Sequence, residues 1–238
     1  MLKLYETRTR EVLPITGRNG ALQVYCCGPT VYRDAHVGNL RTFLLSDLIR
    51  RAATLSGLKV TLIQNITDVG HMANDLEDKI LAQSKSESLD PFSIARKYEE
   101  RFHLDLHRLN IQPADSYPRA SEHIGLMISA IEKLIADGFA YVASDGNVYF
   151  DAQSFPSYGA ISGNRLDSLK PGHRYEYSED GTKRFHADWA LWKLARDRTE
   201  MIWPTPWGDG YPGWHIECSA MSLKYLGNII DLHVGGID

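Results

Sequence analysis

A histidine and an asparagine three positions apart, His36 and Asn39, lie at the end of the string Cys27-Gly28-Pro29-Thr30-Val31-Tyr32-Arg33-Asp34-Ala35-His36-Val37-Gly38-Asn39. Imidazole and carboxamide N–H groups donate to phosphate oxygens. The string follows a hydrophobic run, Ala21 to Cys26, and opens a long amphipathic segment. It therefore reads as strand, glycine-containing turn and helix. The first N–H groups of a helix lack partners and its dipole favours negative charge, so such a start suits an anion. Gly38 has no side chain and would let a flat ligand such as adenine lie against the backbone. The same four residues also read as a loop histidine that caps a helix, and a short pattern alone leaves both readings open.

The three cysteines are Cys26, Cys27 and Cys218. They do not suggest a disulfide framework in a chain of 238 residues. Cys26 and Cys27 are adjacent, so on a strand they point to opposite faces, and at most one can share a site with Cys218. Cys27 and Cys218 as a pair would suit zinc. Equally, both read as small buried hydrophobes, because a separation of nearly the whole chain is not a metal motif. His215, Glu217 and His233 are further possible ligands that spacing does not select.

These residues need elements to hold them. Leu22 to Cys27 reads as a buried strand and Asn39 to Leu55 as a helix, with Phe43, Leu44, Leu48, Ala52 and Leu55 near one face. Lys59 to Ile66 is a second strand, rich in β-branched residues. Strand, helix, strand makes a βαβ unit with parallel strands and a right-handed crossover. Ligands in such sheets sit beyond the carboxyl ends of the strands. Cys27-Gly28 and Asn65-Ile66-Thr67-Asp68 both fall there and should approach each other.

A middle section reads differently. Helices are expected over Leu76 to Lys85, from Asp90-Pro91 to Leu109, and over Pro118 to Asp137. A hairpin around Asp145-Gly146 should join strands within Phe139 to Phe150. Gly159 to Arg184 is turn-rich, with Glu179 to Thr182 an exposed loop. The last section, dense in Trp, Pro and Gly, should hold a helix from His215 to Leu226 and a buried strand from Ile229 to Val234. Gly235-Gly236-Ile237-Asp238 then forms a loop on the ligand side.

Hydrophobic content of 43% and charged content of 24% are ordinary for a globular chain. A net charge of −4 offers no global basic field, so any nucleic-acid surface must be local. No apolar run reaches membrane-spanning length and the N-terminus lacks a signal-peptide core, so a cytoplasmic protein without membrane contact is expected.

The string from Tyr25 to Phe43 resembles the nucleotide-binding signature of class I aminoacyl-tRNA synthetases. Its Cys-Gly-Pro-Thr-Val-Tyr lead-in, with Trp214-His215-Ile216-Glu217-Cys218 and the final Gly-Gly-x-Asp loop, resembles the cysteinyl-tRNA synthetase family in particular. The resemblance runs from Leu2 to Asp238 and covers the N-terminal half of an enzyme of this kind. It implies an α/β fold, a Rossmann-like parallel sheet with an inserted helical and β-hairpin connective segment. Residues 1–75 would form the first half of the nucleotide-binding fold, 76–185 the insertion, and 186–238 the start of the second half.

The implied activity is ATP-dependent conversion of L-cysteine to cysteinyl-adenylate and its ligation to tRNA(Cys), with ATP, Mg²⁺ and Zn²⁺, by a monomer. His36 and Asn39 would be catalytic. Gly28, Thr30, His36, Gly38, Asn39, Gly236 and Asp238 would bind the nucleotide, Asp238 through its ribose. Gly28, Thr30, Thr42, Asn65, Thr67 and Trp214 would bind the amino acid and its adenylate, with Trp214 as a lid hinged at Pro212-Gly213. Cys27 and Cys218 would ligate zinc. The family's other two zinc ligands and its lysine-rich loop lie past the position matching Asp238, so these 238 residues alone are expected to hold little zinc and to make no adenylate. Where the family has a pair of acidic residues, this chain has Gly70-His71, and His71 receives no role. Two other functions share the core: a cysteine ligase of the mycothiol pathway with an amino-sugar acceptor, and a non-catalytic nucleotide-binding paralogue.

Overall fold

The structure is a computed structural model that describes residues 2–70, 72–74, 77–161 and 182–236. A hairpin of β1 (Lys3–Glu6) and β2 (Glu11–Pro14) precedes β3 (Ala21–Cys26), α1 (Val37–Leu55) and β4 (Lys59–Gln64). A short ribbon of β5 (Met72–Asn74) and β6 (Glu77–Asp78) leads to α2 (Lys79–Glu87) and α3 (Pro91–Arg108). After a 3₁₀ turn at Ala120–His123 come α4 (Ile124–Ala136), β7 (Ala140–Val142) and β8 (Val148–Phe150). The described chain then continues through β9 (Trp189–Leu194), β10 (Gly210–Pro212), α5 (Ile216–Leu226) and β11 (Leu232–Val234).

The three-stranded sheet is parallel, in the order β11-β3-β4. The alternation in β3 divides the core. Leu22, Val24 and Cys26 pack into one cluster with Phe43, Ile49 and Phe102, whereas Tyr25 belongs to the other, with Ile80, Met127, Trp192 and Met221. β7 to β10 form an antiparallel sheet in the order β10-β9-β8-β7, which straddles residues 185 and 186. Asp188 sits buried at its heart. Its carboxylate accepts from the Tyr141 hydroxyl at 2.6 Å and from the Ala152 and Phe185 N–H groups at 2.9 and 3.0 Å. Among the described residues no helix is long and apolar enough to cross a membrane.

Several expected boundaries move. The helix expected from Leu76 starts at Lys79, because Glu77–Asp78 pairs as a strand and Asp78 then caps the Ile80 and Leu81 N–H groups. The helix expected from Pro118 starts only at Ile124. The segment before it is held extended along the free edge of β4, with Ile66 N–H donating to Pro118 O and Ala120 N–H to Ile66 O. The inward face of α1 carries Phe43, Ser46, Asp47, Ile49 and Ala53, while Leu48 and Leu55 are exposed. Asp47 can face inward because it accepts from Arg51 Nε at 2.7 Å and from Gln112 N–H at 3.1 Å. The expected strand from Ile229 shortens to Leu232–Val234. The expectation for Gly159 to Arg184 falls mostly on residues outside the described ones.

A charged network ties the helical segment to the sheet. Asp68, just past β4, is fully buried and accepts from Ser121 N–H at 2.8 Å and Ser121 Oγ at 2.6 Å. Buried Glu99 of α3 accepts from Arg96 Nη1 at 2.9 Å and Arg119 Nε at 2.8 Å. Burial pulls the Glu99 carboxyl up, but hydrogen bonds from His103, Arg119 and Arg96 outweigh it and hold the group at about 2. A carboxyl depressed in the folded state stabilises above its unfolded value, here 4.5, and that stability is lost as pH falls toward about 2. Glu99→Gln should therefore lower stability at neutral pH by roughly 3 kcal/mol and flatten its decline between pH 4.5 and 2. Urea unfolding across that range checks it, and parallel wild-type and variant curves would refute it.

Candidate active site

The carboxyl ends of β3 and β4 meet more closely than strand spacing requires. A Cβ on Gly28 would lie 1.5 Å from the Asn65 carbonyl oxygen, so only glycine fits. The Gly28 N–H donates to Asn65 Oδ1 at 2.9 Å. Beyond this contact the two chains stay paired, with Thr67 N–H donating to Pro29 O at 3.0 Å and Val31 N–H to Thr67 O at 3.1 Å. On the other side Cys27 N–H donates to Val234 O of β11 at 2.8 Å. Three strand ends thus converge as the sheet topology anticipates.

The two distant cysteines meet here. Cys218, in the first turn of α5, donates its thiol to Cys27 Sγ at 3.8 Å and stands 3.7 Å from Asn65 Oδ1. The Cys218 hydrogen bond holds the Cys27 thiol below the usual range against the effect of burial. The same bond, with burial, pushes Cys218 well up. The pair therefore gives up its first proton readily and its second with difficulty. Two thiolates on a tetrahedral zinc with Zn–S of about 2.3 Å stand about 3.8 Å apart, so the observed separation fits a shared metal. Among the described residues no group of three or more His, Cys, Asp or Glu gathers to hold one.

Glu217 takes Thr67 as its hydrogen-bond partner. It is buried, and its Oε2 accepts from Thr67 Oγ1 at 3.1 Å, while Asn65 Nδ2 donates to Thr67 Oγ1 at 3.1 Å. Burial pushes its carboxyl well up. Its place in the lattice of hydrogen bonds removes it from the candidate zinc ligands. His233 is exposed and packs edge-on to Tyr25 at 5.4 Å, and desolvation and nearby His215 lower its pKa. Cys26 points the other way, accepting from Ser46 Oγ at 3.1 Å in the opposite core, and burial raises it to about 12.

The start of α1 combines both sequence readings. His36 is the N-cap, and its Nδ1 accepts from Gly38 and Asn39 N–H at 3.1 and 3.4 Å, while Asn39 Oδ1 accepts from His36 N–H at 3.3 Å. Those two N–H groups are consequently not open to an anion, which corrects the expectation of a bare helix terminus. The donors turned outward are instead the side chains. With Nδ1 accepting, the neutral imidazole carries its proton on Nε2, and Asn39 keeps its NH₂ end. Gly38 also has a different reason to be glycine. A Cβ there would lie 2.9 Å from His36 Cε1 and 3.0 Å from Nδ1, so the absence of a side chain admits the capping ring.

Residues 15–238 match the family model for the class I (C) tRNA synthetase catalytic domain. The chain belongs to that family. A cysteine–tRNA ligase of Deinococcus radiodurans is 46% identical over 241 residues, covering 100% of this chain and 48% of that protein. One of Thermus thermophilus is also 46% identical over 241 residues, covering 100% of this chain and 50% of that protein. The chain thus spans about half the length of the curated relatives it matches. Among solved structures, a Mycobacterium tuberculosis methionyl-tRNA synthetase in complex with methionyl-adenylate superposes with a TM-score of 0.65 at 14% identity, covering 92% of this chain and 51% of that one. That likeness concerns the fold.

Of the remaining site candidates, Thr30 and Gly236 lie at these strand ends. Thr30 bridges to Thr67 across the paired segments, and half-buried Thr42 lies one turn into α1. Gly236 is exposed just past β11. Asp238 and His71 lie outside the described residues. Trp214 is exposed, with its ring 5.8 Å from His215. The expected hinge beneath it is pinned, because Gly213 N–H donates to Leu191 O at 2.9 Å and a Cβ on Gly213 would sit 2.0 Å from Ala190 O. Sequence reading passed over Tyr25, buried beside the thiols. Burial, then Cys218, raises its hydroxyl pKa. The two-residue alternation of β3 does put Tyr25 on the face of Cys27 and was the available signal.

Thr67→Val keeps the side-chain shape but leaves buried Glu217 and the Asn65 amide without a partner. It should cost about 1–3 kcal/mol in urea unfolding, with Thr67→Ser close to the parent. Equal stability of the valine variant would show that the Glu217-Thr67-Asn65 bonds do not hold the site.

Proposed function

We propose that the chain is the nucleotide-binding and amino-acid-binding half of an enzyme that activates L-cysteine with ATP and ligates it to tRNA(Cys). The observation that carries this reading is the Cys27–Cys218 pair, 3.8 Å apart across 191 positions of sequence. Thiol-rich coordination offers the discrimination that cysteine needs. A pocket of the right size rejects a near-isostere such as serine only weakly. Cys27 and Cys218 would hold zinc, which supplies strong, sulfur-selective binding of the substrate thiol.

The chain's other residues position and neutralise. Attack of the cysteine carboxylate on the α-phosphate forms the mixed anhydride as the bond to pyrophosphate breaks. That step needs alignment and charge stabilisation more than a protein nucleophile. The outward His36 Nε2–H and Asn39 NH₂ donate to phosphate oxygens of magnesium-bound ATP. The capping bonds fix the tautomer and amide orientation before substrate arrives. Gly28, Thr30, Gly38 and Gly236 leave room for the nucleotide against the strand ends, and Asp238 is assigned to the ribose. Asn65 and Thr67 line the amino-acid side with Thr42, and Trp214 covers it.

His36→Ala, in a protein that carries the remaining half of the relatives' length, should slow cysteine-dependent pyrophosphate exchange on the order of a hundredfold. Exchange within a few-fold of the parent would refute the phosphate role. In the same full-length protein, Cys27→Ser or Cys218→Ser should each lower zinc affinity at least about tenfold, as measured by competition with a chelator. Undiminished zinc in both variants would place the metal elsewhere.

A further inference from the structure

Two cations gather on one aromatic ring at the edge of this site. The Arg33 guanidinium lies 5.1 Å from the Tyr32 ring centroid and the Lys79 ammonium 5.5 Å from it. Tyr32 is itself held in place, packed against the core cluster that includes Ile80 and Ile216. Arg33 is exposed and Lys79 half-buried, and neither forms an ion pair or hydrogen bond with a described residue.

The described acids close at hand are committed elsewhere. Asp34, next to Arg33, is engaged by both Nε and Nη2 of Arg101, the latter at 2.6 Å. Asp78, next to Lys79, caps α2 and accepts from Arg198 Nη1 at 2.9 Å in a buried ion pair. Burial and the Arg33 charge lower the pKa of Lys79, although Asp78 works against them. The two cations thus repel each other with no counter-ion of their own among the described residues, in a chain whose net charge is −4. A planar guanidinium fork beside a point-charge ammonium is a pairing suited to phosphate oxygens.

We propose that Arg33 and Lys79, braced on Tyr32, form a phosphate clamp. Arg33 lies three positions before His36 on the same loop. A bound phosphate therefore joins the pair to the nucleotide side of the site. The proposal rests on the function given above only for the bearer of the phosphate: an RNA backbone and a nucleotide's triphosphate present the same chemistry.

The test compares the parent with the double variant R33Q/K79Q and with Arg33→Lys. Each is titrated with ATP, inorganic pyrophosphate and a single-stranded RNA of roughly ten nucleotides, across a range of salt. The double variant should weaken binding of at least one probe tenfold or more at low salt, and Arg33→Lys should recover part of the loss. If RNA is the bearer, the slope of log affinity against log salt should fall by about 1.4, or 0.7 for each phosphate that the removed cations had neutralised. A loss confined to ATP and pyrophosphate assigns the clamp to the nucleotide, and a loss confined to RNA assigns it to the acceptor. Unchanged affinity and slope for all three probes overturn the proposal, as does a parent that binds none of them at low salt. Thermal unfolding reports whether the double variant is folded. If it is not, the single exposed change R33Q must still weaken binding several-fold. Cysteine-dependent pyrophosphate exchange in the full-length protein reads the proposed function separately. Full exchange with unaltered polyanion binding in the double variant removes the clamp alone, whereas clamp-dependent binding without exchange removes the function alone.

Discussion

The site depends on one close approach of backbone to backbone, that of Gly28 to Asn65. Because no Cβ intervenes, the loop after β3 folds down onto the end of β4, and the Asn65 amide reaches the Gly28 N–H. That amide is oriented in turn by Thr67 and through it by Glu217 of α5. The residue beside Glu217 is Cys218, which meets Cys27 immediately before Gly28. A closed ring of contacts therefore runs from β3 to β4, to α5 and back to β3. Each member is fixed by a neighbour from another part of the sequence.

Two kinds of polar interaction support this ring in different ways. Inside, hydrogen bonds between neutral or singly ionised groups set direction: Asn65, Thr67, Glu217 and the cysteine pair. Outside it, charged pairs set distance between elements. Glu99 with Arg96 and Arg119 ties α3 to the segment along β4, and Arg198 with Asp78 ties the loop after β9 to the start of α2. Breaking either buried pair would strand a charge away from water, which makes these couplings specific as well as stabilising.

Much of this was legible in the sequence. Leu22 to Cys27 and Lys59 to Ile66 announced parallel strands through their apolar, β-branched character, and the convergence of Cys27-Gly28 with Asn65-Thr67 followed from topology. Asp90-Pro91 marked its helix start because the side-chain cap and the fixed φ of proline act locally. What escaped was governed by partners far away. Nothing near Asp47 tells that Gln112 will satisfy it, so the buried face of α1 was misjudged at Leu48 and Leu55. Strand β10 hid in a segment of tryptophan, proline and glycine, where alternation is blurred. Nor was there a sign of the local constraint on Gly38, where a Cβ would lie 2.9 Å from the capping ring of His36, two residues back. Glu217 gave no local sign that it would face Thr67.

The parallel arrangement has a consequence for how this molecule comes into being. β3 is complete at Cys26, yet its β11 partner begins only at Leu232. Cys27 likewise waits for Cys218. Closing loops of such length costs chain entropy before any contact rewards it, so pairing of this kind is slow relative to local hairpins such as β7–β8. On a ribosome, which delivers the chain from its N-terminus, the left half of the cleft would emerge long before the right. Until then the β11-facing edge of β3 and the Cys27 thiol stand open together. The cleft is thus the last part of the domain to mature, and premature pairing of that edge or oxidation of that thiol is the error to which its folding is most exposed.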